Sequence, residues 1–287
     1  MEQLVYINGE LVSRDKARIS AFDRGFLYGY GLFETMRSYN GRVFYLDRHI
    51  ARLADSAAFL GIKEALEPEK LEGGVLTTLK ANGLEDARIR LTVTAGEGSR
   101  GIALPSTGNL TTIITVEALS LPSVEKYSKG LRTSIASIRR NNKSPLCRMK
   151  TLGYMENMLA HTEAVGAGCD EAILLNTDGC VAECSASNIL IVESGRVVTP
   201  PVDAGILPGI TRGIVIDLAA KLDIELMQES IGVERLKKAQ EVFITNSVIE
   251  IMPVASIEGR EVGMGCRGKI TELLTAEYRK LTWSSIR

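Results

Sequence analysis

The chain has 287 residues, 45% of them hydrophobic and 24% charged, with a formal net charge of -1 at pH 7. That length suits two domains better than one core. The balanced charge, with no block of like sign, argues against a polyanionic partner such as nucleic acid. No apolar run is long enough to span a bilayer, and the start, MEQLVYINGELVSRDKARIS, has no basic segment leading into an apolar one. Neither a membrane span nor a signal peptide is therefore expected.

The opening LVYINGELV predicts a hairpin that turns at Asn8-Gly9, and GLFETMRSYNGRVFYL repeats the device at Asn40-Gly41. A helix is predicted from about Asp47, with Leu53 and Ala57 on one face and Gly61 as its stop. KLEGGVLTTLKANG predicts a second helix ending at Asn82-Gly83. ARIRLTVTA and LTTIITVEAL, rich in β-branched residues, read as strands. Around SLPSVEKYSKG the periodicity lapses and turn residues gather, as in an interdomain connection. Beyond it come the strand LRTSIASI, a helix after Lys150, and a strand pair turning at Asp178-Gly179. The hairpin NILIVESGRVVTPP, the helix TRGIVIDLAAKL, the strand EVFITNS and a last helix, RGKITELLTAEYRKL, complete the chain. Both halves mix hairpins with helices, so two α+β domains are expected, not a run of βαβ units. The boundaries read 1–120 for a small domain, 121–132 for the connection and 133–287 for a larger, cofactor-binding domain.

The five cysteines (Cys147, Cys169, Cys180, Cys184, Cys266) are odd in number and scattered, which points to reduced thiols in the cytoplasm. Cys180 and Cys184 lie close together, but two histidines in the whole chain leave a zinc site without partners. GEGSRG, from Gly96 to Gly101, formally matches a dinucleotide fingerprint, yet that motif needs a helix opening at its last glycine. IALPSTGN is too short and turn-rich for one, so the stretch reads as a hairpin loop. Arg100 within it remains a candidate to bind a carboxylate.

Four other features carry more chemistry. Lys150, in LCRMKTLGYMEN, precedes an apolar-faced helix; an amine beside a buried face is desolvated and easier to deprotonate. Glu183, in GCVAECSASN, follows a strand, and a buried carboxylate needs a partner, for which a cationic ring nitrogen is one option. Ile210-Thr211 open a helix after Pro208-Gly209, where free backbone N–H groups form an anion site. Thr245-Asn246-Ser247 place hydroxyl and amide groups at a strand end, where they can donate to a phosphate. A lysine amine, a carboxylate and two anion sites are what pyridoxal 5'-phosphate needs.

At this point the chain resembles the fold-type IV (class IV) pyridoxal-phosphate enzymes, which include branched-chain and D-amino acid aminotransferases and aminodeoxychorismate lyases. The likeness runs from FDRGFLYGYGLFETMR through YLDRHIARL, KTLGYMENMLA, VAECSASNIL and LPGITR to TNSVIEIMPV. It implies the two-domain α+β fold of that group, pyridoxal 5'-phosphate as cofactor, and a homodimer. By the same resemblance, Lys150 is the lysine that bonds the cofactor and moves the substrate's proton, and Glu183 is the carboxylate on the pyridine nitrogen. Arg52, Ile210, Thr211 and Ser247 match the phosphate-binding positions. The family tyrosine usually follows the lysine by five residues; here Met155 holds that place and Tyr154 the one before it. Phe33, Tyr28 and Tyr30 are expected to line the cleft into which the lysine amine faces. Arg100 would meet the substrate, and Arg24 would reach a partner subunit's site.

The resemblance implies an aminotransferase that moves an amino group between an amino acid and a 2-oxo acid such as 2-oxoglutarate, with a D-amino acid or a branched-chain L-amino acid as donor. The alternative is a lyase that releases 4-aminobenzoate and pyruvate from aminodeoxychorismate. More distant is a non-catalytic protein that binds the cofactor. Branched-chain enzymes usually carry an Arg-Pro pair in the strand where this chain has ARIRLTVTA; D-amino acid enzymes carry a histidine where it has Ile102.

Overall fold

Two asparagine–glycine pairs start the fold. In the computed structural model, which describes residues 2–62, 66–98, 101 and 110–284, Asn8 and Gly9 have φ of 50° and 103°, and Asn40 and Gly41 have 46° and 76°. Positive φ at both central residues gives the turn whose twist matches paired strands. These turns join β1 (Leu4–Ile7) to β2 (Glu10–Ser13) and, after α1 (Arg24–Tyr28), β3 (Gly31–Tyr39) to β4 (Arg42–Val43). Helices α2 (Leu46–Phe59) and α3 (Pro68–Ala81) and strands β5 (Ala87–Thr94) and β6 (Thr111–Ala118) follow. Among the described residues the strands form a six-stranded sheet in the order β2-β1-β6-β5-β3-β4. Helix α2 turns Ile50, Leu53 and Ala57 towards Leu32 and Met36 of β3, and these residues share one core. Each of the larger side chains, once buried, stabilises the fold by roughly 1.5–3 kcal/mol.

The second part of the chain holds α4 (Val124–Lys129), β7 (Leu131–Arg140), α5 (Met155–Gly166), β8 (Glu171–Asn176), β9 (Val181–Cys184), β10 (Asn188–Glu193) and β11 (Arg196–Thr199). It continues with α6 (Ile210–Lys221), β12 (Leu226–Gln228), α7 (Val233–Lys237), β13 (Glu241–Asn246), β14 (Glu250–Ile257), β15 (Arg260–Glu261) and α8 (Lys269–Ser284). Among the described residues these strands make a nine-stranded sheet, β12-β11-β10-β13-β14-β7-β8-β9 with β15 on β14. Strands β7 and β8 pair in parallel across α5, and β11 and β12 across α6. Two βαβ crossovers therefore sit among the hairpins of this α+β unit. Burial on both faces leaves β8 without the alternation that marks a hairpin strand.

Contacts divide the chain into two units: one takes the residues up to Ser120 together with Met149–Gly153, the other Leu121–Arg148 and Tyr154–Ser284. The stretch 121–132, expected to be a connection, carries α4 and the start of β7 and belongs with the second unit. The Ser123 hydroxyl caps α4, which packs on β14, and β7 begins at Leu131. Lys150 also departs from expectation: it belongs with the first unit, not with 133–287.

Candidate active site

In the chain, Lys150 precedes Met155, where α5 begins. Its backbone is held by the start of β3. The Phe33 amide donates to the Lys150 carbonyl at 2.9 Å and the Leu152 amide to the Gly31 carbonyl at 3.0 Å, with a bridge between Leu32 and Thr151. Strand β4 pairs only with Ser38 and Tyr39, which leaves the other end of that β3 edge for this segment. The approach is close: a Cβ at Gly31 would lie 2.6 Å from the Val93 carbonyl oxygen and 2.8 Å from Leu152. Met149 is buried in the first core and fixes the segment from the other side. The Lys150 Nζ lies 4.4 Å from the centroid of the buried Phe33 ring, and the Arg90 guanidinium lies 3.8 Å from the same centroid. Arg90 faces Thr35 across the β3–β5 ladder, so it reaches Phe33 as a diagonal neighbour.

Arg52 projects from α2 onto a carboxylate that the sequence did not single out. Its Nε and Nη2 donate to the two oxygens of Glu34, at 2.8 and 2.6 Å. His49 Nδ1 lies 2.6 Å from Glu34 Oε2. Glu34 is 1% exposed and Arg52 12%. Burial pushes the Glu34 carboxyl up, but the Arg52 charge and the His49 hydrogen bond outweigh it and hold the group at about 2. The signal was present in GLFETM: an acid on the core face of a strand must have a partner.

In the second unit, Glu183 lies in β9, buried, with donors on both oxygens. Arg140 Nη2 pairs with Oε1 at 3.0 Å, while the Leu207 amide and Asn188 Nδ2 reach Oε2 at 2.9 and 3.2 Å. Arg140 also donates to the Gly205 and Cys147 carbonyls and to Asn157 Oδ1. The Asn157 amide continues to the Ser185 carbonyl at 2.8 Å, which also accepts from the Tyr154 hydroxyl at 3.3 Å. Tyr154 is thus tied through Ser185, Asn157 and Arg140 to Glu183, whereas Met155 is exposed. Arg140, Asn157 and Asn188 have no local sequence signature; they meet Glu183 only through strand pairing and the β7–α5 connection.

The same end of the second sheet gathers the other expected residues. Helix α6 starts at Ile210 after Gly209, which supplies no side-chain cap, so its first N–H groups remain for a ligand. Glycine is required there, since a Cβ would fall 1.9 Å from Asn188 Oδ1. Thr211 is buried in that first turn. Asn188 pairs with Thr245 across β10 and β13. Beyond Thr245, the Asn246 side chain accepts from the Val248 and Ile249 amides, both at 2.9 Å, and shapes the turn carrying Ser247. The Thr245 hydroxyl is buried with no hydrogen-bond partner among the described residues. Glu183, Ile210, Thr211, Tyr154 and Ser247 therefore share the second unit, and Lys150, Arg52 and Phe33 the first.

The remaining expectations separate. Tyr28 is half exposed on α1. The Tyr30 hydroxyl donates to the Leu60 carbonyl at 2.6 Å, so it secures the end of α2. Arg24 is 2% exposed, packs under Gly98 and donates to the Gly101 carbonyl. Arg100 and Ile102 lie outside the described residues.

An amine, a buried carboxylate paired with an arginine, an uncapped helix start and an orphaned buried hydroxyl fit the needs of pyridoxal 5'-phosphate. Known proteins agree. The family model for amino-transferase class IV matches residues 31–257. A Methanocaldococcus jannaschii protein provisionally named a branched-chain-amino-acid aminotransferase is 41% identical over 278 residues, 96% of each chain. The aminodeoxychorismate lyase of Bacillus subtilis is 36% identical, with 96% of this chain and 94% of that one covered. The D-alanine aminotransferase of Bacillus licheniformis is 33% identical over 93% of each. Among solved structures, the Escherichia coli branched-chain amino acid aminotransferase superposes with a TM-score of 0.94 at 28% identity, covering 98% of this chain and 95% of that one. Another branched-chain amino acid aminotransferase, solved with pyridoxamine 5'-phosphate, gives 0.91 at 28% identity, covering 98% and 94%. A match that takes in β3, Lys150, Glu183 and the Ser247 turn together leaves one assignment: this chain belongs to the class IV aminotransferases, which work with pyridoxal 5'-phosphate.

Proposed function

We propose that the amino donor is a branched-chain L-amino acid and the acceptor a 2-oxo acid such as 2-oxoglutarate. The observation that carries this reading is the 41% identity to the Methanocaldococcus jannaschii protein over nearly both full chains. A D-amino acid donor is the second reading, favoured by the D-alanine aminotransferase likeness, and lyase chemistry on aminodeoxychorismate is the third, favoured by the Bacillus subtilis relative.

Each residue takes a distinct task. Lys150 Nζ would hold the cofactor covalently and, with an amino donor bound, would take the proton from the substrate Cα. Glu183, held in place by Arg140, would pair with the pyridine nitrogen. Arg52, the Ile210-Thr211 amides and Ser247 hold the phosphate. Tyr154 keeps its hydroxyl at the edge of the Glu183 network, and Phe33 gives the lysine amine an apolar face. The bound cofactor supplies the electron sink that lets the Cα proton leave. The protein works as a homodimer in the cytoplasm: exposed Phe22, Phe26 and Leu27 in and beside α1, and Met155, Met158 and Leu159 on α5, offer apolar surface to a second copy. Its five cysteines are free thiols, as a reducing compartment keeps them.

The test is to give the cofactor-loaded protein L-leucine, D-alanine, D-glutamate or L-glutamate with a 2-oxo acid and to identify the products. 2-Oxo acid formation from L-leucine is expected. Lys150→Ala should lower that turnover by roughly 100- to 10,000-fold. Turnover of D-alanine alone would favour the second reading, and pyruvate release from aminodeoxychorismate without any transamination would favour the third.

A further inference from the structure

We propose that Glu34 is the positioning residue for Arg52: it fixes the plane of the guanidinium before the cofactor phosphate arrives. The inference rests on the reading that Arg52 meets that phosphate. Glu34 sits on the face of β3 that packs against α2, between Leu32 and Met36 and near Ile50 and Leu53. An ionised carboxylate among such neighbours must be fully served by donors. It receives a two-point grip from Arg52 Nε and Nη2 and a third contact from His49 Nδ1. An ionised carboxylate only accepts, so His49 carries its proton on Nδ1.

Stability alone does not account for this cluster, because the cost of desolvating a buried ion pair largely offsets its attraction. What the grip supplies is direction. An arginine side chain has many rotamers, and two parallel hydrogen bonds to one carboxylate select a single guanidinium plane. Ordering that occurs during folding need not occur during binding, so the phosphate meets a prepared donor. Glu34 also balances the charge of Arg52. The arginine therefore recognises phosphate by directed N–H groups more than by bare charge, and lysine, which cannot grip a carboxylate at two points while facing a ligand, is a poor substitute.

The experiment compares the Kd of pyridoxal 5'-phosphate with that of pyridoxal, which lacks the phosphate, by absorbance titration of the apoprotein. Wild type, Glu34→Gln, Glu34→Asp and Arg52→Ala are measured together. For Glu34→Gln we expect the phosphorylated cofactor to bind roughly 10- to 100-fold more weakly, the size found when outer partners of a ligating group are removed, while pyridoxal changes by less than about twofold. Glu34→Asp keeps the charge but shortens the reach, and should fall in between. Equal weakening of both ligands, or of neither, would overturn the positioning role and leave Glu34 a packing residue. Arg52→Ala separates the two levels: if it leaves pyridoxal 5'-phosphate binding unchanged, the phosphate reading of Arg52 fails first. Should the Glu34 variants not fold, the Nε–H resonance of Arg52 in the wild-type apoprotein decides. Slow solvent exchange before any cofactor is added is expected; fast exchange contradicts a preset guanidinium.

Discussion

Each unit of the chain holds a buried arginine–carboxylate pair, with the roles exchanged. In the first, Glu34 supports and Arg52 is the proposed ligand group; in the second, Arg140 supports and Glu183 is the proposed ligand group. Their surroundings also differ. Glu34, on β3, is met by the Arg52 and His49 side chains of α2. Arg140 and Glu183 are bound to the backbone as well, at the Gly205 and Cys147 carbonyls and the Leu207 amide. The first pair can thus be loosened without moving the chain, whereas the second carries the path into the start of α6. Loss of support in the first unit should show in ligand binding, and in the second in folding itself.

The largest effect is expected from Arg140→Ala. It strands the buried Glu183 charge and frees two carbonyls, so denaturant unfolding should show a loss of about 3–5 kcal/mol. A loss under about 1 kcal/mol would remove the contrast between the pairs. Acid comes next. Glu34 is held at about 2, below its ordinary 4.5, by Arg52 and His49 against the upward push of burial. A carboxyl depressed by folding contributes stability that is complete above about 4.5 and lost as pH falls towards about 2. Glu34→Gln should flatten the apoprotein's stability profile in that window. An unchanged profile would show that Glu34 is not the group titrating. The smallest effect is expected from Tyr154→Phe, which removes one long hydrogen bond to Ser185: roughly 0.5–1.5 kcal/mol, seen as a small drop in melting temperature.

These pairs also mark where sequence reading stopped. Asn8-Gly9, Asn40-Gly41 and the α2 stripe were legible because each is a local rule about φ or helical period. Lys150 and Glu183 were legible as members of ordered motifs. That the Lys150 backbone belongs to β3 was hidden, because only tertiary pairing brings Phe33 to it. Arg140 sits in the polar run IRRNN, where nothing local separates it from Arg139. Glu34 lay inside a quoted motif and could have been found by asking what neutralises an acid in an apolar strand. Helix α4 was missed because SVEKYSK is too short for a period to show, and its cap, Ser123, was read as a turn residue.

The most direct measurement is to reduce the cofactor-loaded protein with borohydride, digest it, and locate the phosphopyridoxyl group by mass spectrometry. The modification is expected on Lys150, with the Lys150→Ala protein unlabelled. A label on any other lysine, or none on the wild-type chain, would contradict the assignment of Lys150 and with it the chemistry proposed for this site.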